Sequence, residues 1–443
     1  MSSKRNLELV LIFAAGLITV GAYALASLGR TADIPADLLP FFGVVLGLII
    51  VAHVILRRFA PLAEPRILPV VALLNGLGYV FIARLANDIS DASRLPGQQA
   101  LWTGVGIVAF TGVIVAVPRI KLLDNYRYLI GIAGIVLLLL PLLPVVGREV
   151  NGARIWVRFG PINFQPGEFA KIALAIFVAS YLAEKRTILQ ETRFAVGPLT
   201  LPQPKHLAPV MAAWGASLLV MVFEKDLGSS LLLFLVVVLM LWVATSRVSY
   251  LLTGMALFAV GGTVSARLFS HVDRRLDAWL DPWADPDNLG FQPLQATFAL
   301  ANGGLTGTGP GRGEPFRIPE VETDFIFAAI GEELGLAGST GILIAFIAIV
   351  AAGLRIAVDT SDDFGALLAT ALSALIGIQA FIIIGGVIRL VPLTGITLPF
   401  VSYGGSSLVS NYVLVALLLR ISHDGAARPR VESSEDPVEV GAS

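Results

Sequence analysis

The sequence predicts an all-α, polytopic membrane protein, and three observations support this fold class. Hydrophobic residues make up 56% of the 443 residues and charged residues only 14%, whereas soluble domains are about 45–50% apolar and about 25% charged. Apolar runs of roughly twenty residues recur along the chain, and a helix of that length crosses a hydrocarbon core of about 30 Å. One long polar stretch, residues 280–324, interrupts these runs. We therefore expect a membrane bundle that carries one long loop.

Twelve apolar runs are candidate membrane helices. They lie near residues 8–29, 37–56, 67–86, 99–117, 128–146, 167–183, 207–223, 228–245, 248–268, 324–353, 363–388 and 406–421. The first run follows Lys4 and Arg5, as in a signal peptide, but it is about twenty residues long and its cleavage pattern is weak. We therefore expect a retained first helix.

Basic residues in the connections predict the orientation of the bundle. With a cytoplasmic N-terminus, most lysines and arginines fall on the cytoplasmic side, together with the C-terminus. Apart from Arg30, Arg84 and Arg94 near the first four helices, the outer arginines form three groups: Arg148, Arg154 and Arg158; Arg267, Arg274, Arg275, Arg312 and Arg317; and Arg389. Arginines beside carboxylates on that side indicate either an anion site or ion pairs with neighbouring Asp and Glu residues, and the sequence leaves both open.

The polar stretch from Leu280 to Asp324 shows no clear helical or strand period. It contains a glycine-dense run at 303–313 and a set of dispersed carboxylates: Asp281, Asp285, Asp287, Glu320, Glu322 and Asp324. A loop of this length is usually functional or disordered, and its prolines, aromatic residues and dispersed charges argue against disorder. We expect this loop to carry the chemistry.

The composition argues against several kinds of site. The chain has no cysteine, so it has neither disulfides nor a thiolate nucleophile. Its four histidines, His53, His206, His271 and His423, are scattered, so a histidine-based metal site is not expected. The net charge of −1 says nothing about partners. No nucleic-acid partner is expected for a chain of this membrane class.

Residues 151–171 combine turn signals with a charged helix start. Asn-Gly and Gly-Pro mark turns, and Pro166 followed by Glu168 is typical of a first helical turn. Glu168 and Lys171 are three residues apart and share a helix face. Lys171 is therefore held either in a structural ion pair or beside an anionic substrate group, while Trp156 is either a site residue or an interfacial anchor.

Other charged residues lie beside or within later apolar runs. Asp226 and Asp324 each precede such a run and are candidate helix N-caps. Glu332 and Glu333 lie inside one. Because a buried carboxylate without a partner is costly, at least one of the two must face protein or a wet cavity.

Residues 385–407 contain Pro392, Pro399 and several glycines, which rule out a continuous helix. Broken backbone at membrane depth is covered by protein or lines a cavity. The segment is therefore either a simple hinge or a ligand site that presents hydroxyls, those of Thr394, Ser402, Tyr403, Ser406 and Ser407.

Taken together, these stretches resemble the SEDS (shape, elongation, division and sporulation) family of RodA- and FtsW-type peptidoglycan polymerases. The similar pieces follow the family's order: NGARIW, QPGEFAK, DLGSS, DPWADPDNLGFQPLQ, GGLTGTGPGRG, PEVETDFIFAAIGEELG and PLTGITLPFVSYGGSS. The resemblance implies a ten-helix core at 67–421 with an extracytoplasmic loop at 269–323. An additional helix pair at 1–66 would precede this core, and a disordered cytoplasmic tail at 422–443 would follow it.

The resemblance also implies a function. A SEDS polymerase lies in the cytoplasmic (inner) membrane, joins lipid II units into glycan strands on the outer face, and has a class B penicillin-binding protein as its transpeptidase partner. The short tail and the additional N-terminal helices favour a RodA-like role in elongation or shape, although a division role stays open.

The family's catalytic aspartate falls on Asp285, which would act as the general base toward a sugar hydroxyl. From the residues alone, Asp281 and Asp287 are rival candidates. The residues expected to bind substrate are Arg154, Trp156, Arg158, Glu168, Lys171, Asp226, Gln292, Glu320, Asp324, Glu332, Ser402, Tyr403 and Ser406.

The leaving pyrophosphate needs stabilisation as its charge develops. Two alternatives stay open: the cations Arg154, Arg158 and Lys171, or a divalent cation (Mg²⁺ or Mn²⁺) held by Asp226, Asp285 or Glu332. The chain departs from the usual family pattern at four positions, none of which removes the loop aspartate: Ile155, Gly167, Lys225 and Glu322.

Two other functions fit parts of the pattern. Buried carboxylates and broken helices also occur in transporters, such as a lipid II flippase or an ion-coupled carrier. A non-catalytic scaffold for the penicillin-binding partner is the third reading, and it predicts that Asp285 is dispensable. The absence of a sequence repeat and the crowding of polar residues toward one face favour the enzyme.

Overall fold

The computed structural model describes residues 2–34, 38–89, 92–144, 146–150, 153–160, 162–191, 194–196, 199–201 and 204–427. Within these ranges the chain forms fifteen α-helices: α1 (Ser2–Thr31), α2 (Leu38–Phe59), α3 (Ile67–Ala86), α4 (Leu95–Ala116), α5 (Lys121–Asn125), α6 (Arg127–Leu139), α7 (Gly167–Glu191), α8 (Pro204–Phe223), α9 (Leu227–Thr245), α10 (Ser249–Leu268), α11 (Ser270–Leu280), α12 (Phe291–Gly303), α13 (Ile326–Asp359), α14 (Asp363–Val387) and α15 (Gly405–Ala427). Short 3₁₀ turns lie at Ala92–Arg94, Leu140–Leu142, Pro282–Ala284 and Pro315–Arg317.

Five short strands lie in the connections: β1 (Gly147–Val150), β2 (Ala153–Phe159), β3 (Ile162–Phe164), β4 (Phe194–Val196) and β5 (Leu199–Leu201). Strands β1–β3 form an antiparallel sheet in chain order, and β4–β5 form a separate hairpin. The predicted Asn151-Gly152 turn lies outside the described residues.

Each of the twelve predicted apolar runs coincides with a helix, and the fold-class prediction is confirmed. The run near 128–146 corresponds to α6 and the 3₁₀ turn after it, and the other runs each match one helix. Among the described residues, nine helices are long and apolar enough to cross a membrane, and α6 and α8 contribute shorter apolar segments. The chain is a multi-pass membrane protein.

The helix connections gather at two ends of the bundle. At one end, here called the terminal face, the N–H of Leu62 donates to His423 Nδ1 (3.3 Å), and Arg5 donates to the carbonyl of Ala63. At the other end, the loop face, residues 269–324 pack on the ends of α1, α3 and α13. The start of α1 and the end of α15 therefore lie opposite the polar loop.

The first two helices share a buried polar network. Arg5 forms an ion pair with Glu8, and Glu8 Oε1 lies 2.6 Å from His53 Nδ1. These three side chains are at most 3% exposed. Because charges inside an apolar bundle need partners, this network holds α1, α2 and the connection after α2 together.

Two parts of the sequence interpretation need correction. The polar stretch is largely helical, since it contains α12 and is preceded by α11. Helix α12 buries Leu294, Ala299 and Gly303 and packs against α13, and this tertiary packing stabilises a helix whose own periodicity is weak. Helix α15 continues to Ala427, so the first residues of the predicted tail are helical; the rest, 428–443, lie outside the described residues.

Candidate functional site

Asp285 lies in the turn between α11 and α12. Its half-buried carboxylate accepts hydrogen bonds from Asn288 Nδ2 (2.9 Å) and from the N–H of Leu289 (3.4 Å). Its own carbonyl accepts from the N–H of Gly290 (2.9 Å), where a Cβ would overlap the carbonyl oxygen of Pro282. The turn therefore fixes the backbone of Asp285 and leaves part of its carboxylate accessible.

The two rival aspartates differ from Asp285 in their surroundings. Asp281 caps the 3₁₀ turn that follows it, because its side chain accepts from the N–H of Trp283 (3.2 Å). Asp287 is exposed. None of the three aspartates lines the cavity described next, but the Asp285 carboxylate is bound by two residues that do.

A cavity of about 380 Å³ opens beside this turn. Asn288 and Leu289, which bind the Asp285 carboxylate, both line it. The other lining residues come from α11, α12, the end of α14 and the segments before α13 and after α14: His271, Arg274, Arg275, Ala278, Trp279, Gln292, Pro293, Asp324, Gly386, Arg389, Leu393 and Gly395. Three arginines and a histidine face one carboxylate, so the cavity is suited to an anion.

Arg275 and Asp324 form the charged centre of this cavity. Arg275 Nη1 donates to the carbonyl of Leu393 (3.2 Å), and its charge interacts with the carboxylates of Asp324 and Asp226. A Cβ on Gly395 would lie 3.5 Å from Arg275 Nη2 and 3.6 Å from Asp324 Oδ2, so both side chains pack on this glycine. Burial lowers the pKa of Arg275 and raises the pKa of Asp324 to about 6. Asp324 therefore titrates close to neutral pH.

Of the two predicted N-caps, one is confirmed and one is wrong. Asp226 Oδ1 accepts from the N–H of Ser229 (2.9 Å) and caps α9. The residue before α13 is Phe325, and no side-chain cap forms there. Asp324 faces the guanidinium of Arg275 instead. The N-cap prediction considered only the local sequence, so it could not indicate this distant partner.

The broken segment 388–404 follows α14, and the predicted loss of helix there is confirmed. Ser402 Oγ donates to the carbonyl of Thr323 (2.5 Å), and the N–H of Tyr403 donates to the carbonyl of Glu322 (2.8 Å). These bonds attach the segment to the residues that precede α13. The Ser402 hydroxyl is thus engaged within the protein.

Arg389 and Trp279 bind each other reciprocally across the cavity lining. Arg389 Nη2 donates to the carbonyl of Trp279 (3.1 Å), and Trp279 Nε1 donates to the carbonyl of Arg389 (3.0 Å). Arg389 has a φ of 60°, a left-handed conformation uncommon outside glycine. The two bonds hold α11 against the end of α14.

Glu168 and Lys171 lie behind the broken segment and do not line the cavity. Lys171 Nζ lies 2.9 Å from Glu168 Oε1 and donates to Gln379 Oε1 (3.2 Å), while Gln379 Nε2 donates to the carbonyl of Thr397 (2.8 Å). Ser410 Oγ donates to the second oxygen of Glu168 (3.1 Å). Both charged side chains are 4% exposed. The arrangement matches the ion-pair interpretation. Through Gln379, the pair is also linked to the backbone of the broken segment at Thr397.

Asp226 connects this ion pair with the cavity. Its charge interacts with Lys171 and Glu168 on one side and with Arg275 on the other, and burial raises its pKa. Ser406 lies near the start of α7, since its Oγ accepts from the N–H of Gln165 (2.9 Å).

Arg154, Trp156 and Arg158 lie on β2, and none of them lines the cavity. The N–H of Arg154 donates to the carbonyl of Glu224 (3.2 Å), and Arg158 Nε donates to the carbonyl of Gly160 (2.9 Å). The arginines that do line it come from α11 and from the segment that follows α14. The sequence interpretation left those arginines out of the site because their convergence is not visible locally.

The glycine-rich segment 303–314 enters a break in α13. The N–H groups of Thr308 and Gly309 donate to the carbonyls of Glu332 (2.9 Å) and Glu333 (3.1 Å). Helix α13 departs from helical geometry at Gly335, which has a φ of 65°. Loop amides therefore replace the donors that this break removes from α13.

Glu332 and Glu333 are both buried in protein, which confirms the prediction that at least one of them faces protein or a wet cavity. Glu333 Oε1 lies 2.8 Å from Arg84 Nε, and Glu333 Oε2 accepts from the N–H of Gly311 (2.8 Å). Glu332 Oε1 accepts from the N–H of Glu314 (3.2 Å). Neither carboxylate lines the cavity.

Of the predicted site residues, Asp285, Gln292 and Asp324 belong to the cavity or its edge. Glu320 is exposed and lies in the turn before Asp324. Among the residues described, no three or more His, Cys, Asp or Glu side chains form a group that could hold a metal ion. The alternative ligands Asp226, Asp285 and Glu332 therefore do not form such a group with one another.

The fold and the site define a multi-pass membrane protein with an arginine-lined cavity at one end of its bundle. The model of the cell cycle protein family FtsW/RodA/SpoVE matches residues 65–426. The chain therefore belongs to this family, as the resemblance predicted.

Similar proteins agree with this assignment. The chain is 47% identical to the "Peptidoglycan glycosyltransferase RodA" of Mycobacterium tuberculosis over 435 residues, 97% of this chain and 92% of that protein. It is 44% identical to the protein of the same name from Mycobacterium leprae, with 96% and 91% covered. A solved structure described as "Structural coordination of polymerization and crosslinking by a peptidoglycan synthase complex" is 26% identical, covers 83% of this chain and 99% of its own, and has a TM-score of 0.67.

Proposed function

We propose that this protein is a peptidoglycan glycosyltransferase that joins lipid II units into glycan strands. The names of its Mycobacterium relatives support the activity. The observation that carries the mechanism is the cationic cavity beside Asp285, two of whose lining residues bind the Asp285 carboxylate.

In the proposed reaction, the 4-hydroxyl oxygen of the acceptor sugar attacks the anomeric carbon of the donor. The new glycosidic C–O bond forms while the bond from that carbon to the pyrophosphate oxygen breaks. The hydroxyl proton moves to the Asp285 carboxylate, and the electron pair of the broken bond leaves with the polyprenyl pyrophosphate. A general base of this kind contributes about 10²–10⁴-fold to the rate.

Arg274, Arg275 and Arg389 would hold the pyrophosphate as its charge increases. Guanidinium groups bind phosphate oxygens in a fixed, often bidentate geometry, and fixed charges aimed at a leaving group lower the barrier without reorganisation. Asp324 would limit the positive charge of Arg275 when the cavity is empty. His271 adds a group that becomes cationic only at lower pH, because burial lowers its pKa from 6.5.

The loop face would lie outside the cytoplasmic membrane, with both chain ends inside. The positive-inside bias supports this orientation, and it puts the cavity on the side where glycan strands are made. A class B penicillin-binding protein is the proposed partner, because a peptidoglycan synthase complex is among the structural relatives.

The test is polymerisation of purified lipid II by the full-length protein, with and without its penicillin-binding partner. Asp285→Asn is expected to lower the rate by about 10²–10⁴-fold. The matched control is Asp287→Asn at the exposed neighbouring aspartate. It should keep the rate within about threefold, a change of under 1 kcal/mol in the activation free energy. Arg275→Lys keeps one charge but not the planar fork, and it should raise KM more than Asp285→Asn does.

Each competing function has its own result in this assay. Movement of labelled lipid II across the bilayer without polymer would favour the carrier. Full polymerisation by Asp285→Asn would remove the base from this position and favour the scaffold or one of the rival aspartates.

A further inference from the structure

A second cavity, of about 510 Å³, lies on the side of the bundle nearer the terminal face. Helices α1 and α13 both pack on α3, and the cavity is the crevice left between them. Its walls are apolar apart from two arginines, and the lining residues are Leu11, Ala14, Ala15, Ile18, Arg66, Pro69, Val70, Leu73, Ala348, Ala351, Ala352 and Arg355. The many alanines leave the space open because larger side chains there would fill it.

The crevice has a charged end and an apolar end. Arg66 precedes α3 and Arg355 lies in the last turns of α13, so both guanidinium groups mark the terminal-face end. From there each wall extends seven residues inward, a depth of about 10 Å at 1.5 Å per residue. Half of a hydrocarbon core is about 15 Å thick. The crevice therefore fits within one leaflet.

Both charged residues that line the crevice are arginines. Arg66 Nε lies 2.6 Å from Glu64 Oε1, yet the Arg66 side chain is 56% exposed and keeps donors free on its outer side. Arg355 is exposed too. Glu64 is paired with Arg66, and Glu8 nearby is paired with Arg5. Because the residues that line the crevice include these two arginines and no carboxylate, they leave a place for a monoanionic phosphate.

We propose that this crevice binds an anionic glycerophospholipid, with an acyl chain between α1 and α13 and its phosphate between Arg66 and Arg355. One molecule would satisfy both ends of the crevice. A partner helix would fill the apolar part but leave the two guanidinium groups unmatched. Because α1 forms one wall, the site exists only with the helix pair that precedes the family-matched residues 65–426.

The experiment counts lipids retained by the delipidated full-length protein in native mass spectrometry. The probes are phosphatidylglycerol and phosphatidylcholine with identical acyl chains. The wild type is expected to retain one phosphatidylglycerol molecule and to bind phosphatidylcholine more weakly. The double variant Arg66→Ala/Arg355→Ala should bind phosphatidylglycerol about thirtyfold more weakly, since each arginine near an anionic lipid contributes roughly a factor of five.

Blocking the apolar part tests the other half of the proposal. Ala351→Leu is expected to remove retention of both lipids. Its control, Ala256→Leu on the exposed face of α10, should change neither, and Arg58→Ala at the end of α2 is the charge control.

Three results would overturn the proposal. The first is equal affinity of the wild type for the two lipids. The second is unchanged phosphatidylglycerol binding by the double arginine variant. The third is retention of phosphatidylglycerol by Ala351→Leu at the wild-type level.

Discussion

Arg84 offers a direct test of how the glycine-rich segment is held, and we expect Arg84→Met to be strongly destabilising. The Arg84 and Glu333 side chains are 2% and 1% exposed and lie 2.8 Å apart. Arg84 also donates to the carbonyl of Gly313 (2.7 Å) and pairs with Asp88. Methionine fills a similar volume but supplies no donor, so the Glu333 carboxylate stays buried without its cation.

The expected cost follows from these contacts. Removing one partner of a buried ion pair costs about 3–5 kcal/mol, mostly because the remaining charge is unpaired. Adding Glu333→Gln should therefore recover about 2 kcal/mol relative to the sum of the two single variants. The matched control is Arg30→Met: Arg30 pairs with the same Asp88 but is 41% exposed, and exposed pairs contribute only about 0–1 kcal/mol.

The assay is unfolding of the full-length protein in mixed micelles by increasing dodecyl sulfate, with hydrogen exchange to follow the amide of Gly311. That amide donates to Glu333 Oε2 and should exchange faster in Arg84→Met. A cost for Arg84→Met no larger than that for Arg30→Met, or strictly additive effects of Arg84→Met and Glu333→Gln, would show that the buried pair does not hold the segment.

Two further predictions concern the candidate site. Gly290→Ala should abolish polymerisation, because the new Cβ overlaps the carbonyl of Pro282 and opens the turn, whereas Gly97→Ala, with open space around it, should keep full activity; equal activities would contradict the steric argument. Inorganic pyrophosphate should inhibit more strongly as the pH falls from 7 toward 5, because the pKa of Asp324 is raised to about 6 and its protonation releases the neighbouring guanidinium. Asp324→Asn should shift the remaining pH dependence to lower pH, where His271 gains its proton; an unchanged profile would remove Asp324 from this role. The free energy of unfolding should also be larger at low pH. Because the pKa of Asp324 is higher in the folded protein (about 6) than in the unfolded chain (about 4), its contribution to stability is complete below pH 4 and is lost as the pH rises through about 6.

The bundle could be predicted from sequence because each of its helices is indicated by a pattern within its own segment. Twelve apolar runs predicted twelve helices, the prolines and glycines of 385–407 predicted a break, and Asp226 predicted a cap. The cost of burying a carboxylate in an apolar helix was enough to predict that Glu332 or Glu333 faces protein. These inferences depend on the chemistry of one segment at a time.

The cavity could not be predicted in this way. Arg275 and Arg389 are far apart in the chain and meet because the broken segment folds back over α11. The concentration of outer arginines left an anion site and ion pairs with neighbouring carboxylates equally open, and it could not show that α11, rather than β2, supplies the cations of the cavity. Helix α12 was missed for a similar reason, since its buried face is defined by α13 and not by its own periodicity.

The break in α13 has a mechanical consequence. Two carbonyls of α13 accept hydrogen bonds from the glycine-rich segment 303–314. Moving that segment away from the bundle would therefore leave these carbonyls without donors, unless the helix straightens. A force applied to the loop that carries this segment, for example by a growing polymer that resists release, would therefore be transmitted as a bend in a helix 34 residues long. That helix ends at the opposite face of the bundle, so strain on one side of the membrane has a route to the other.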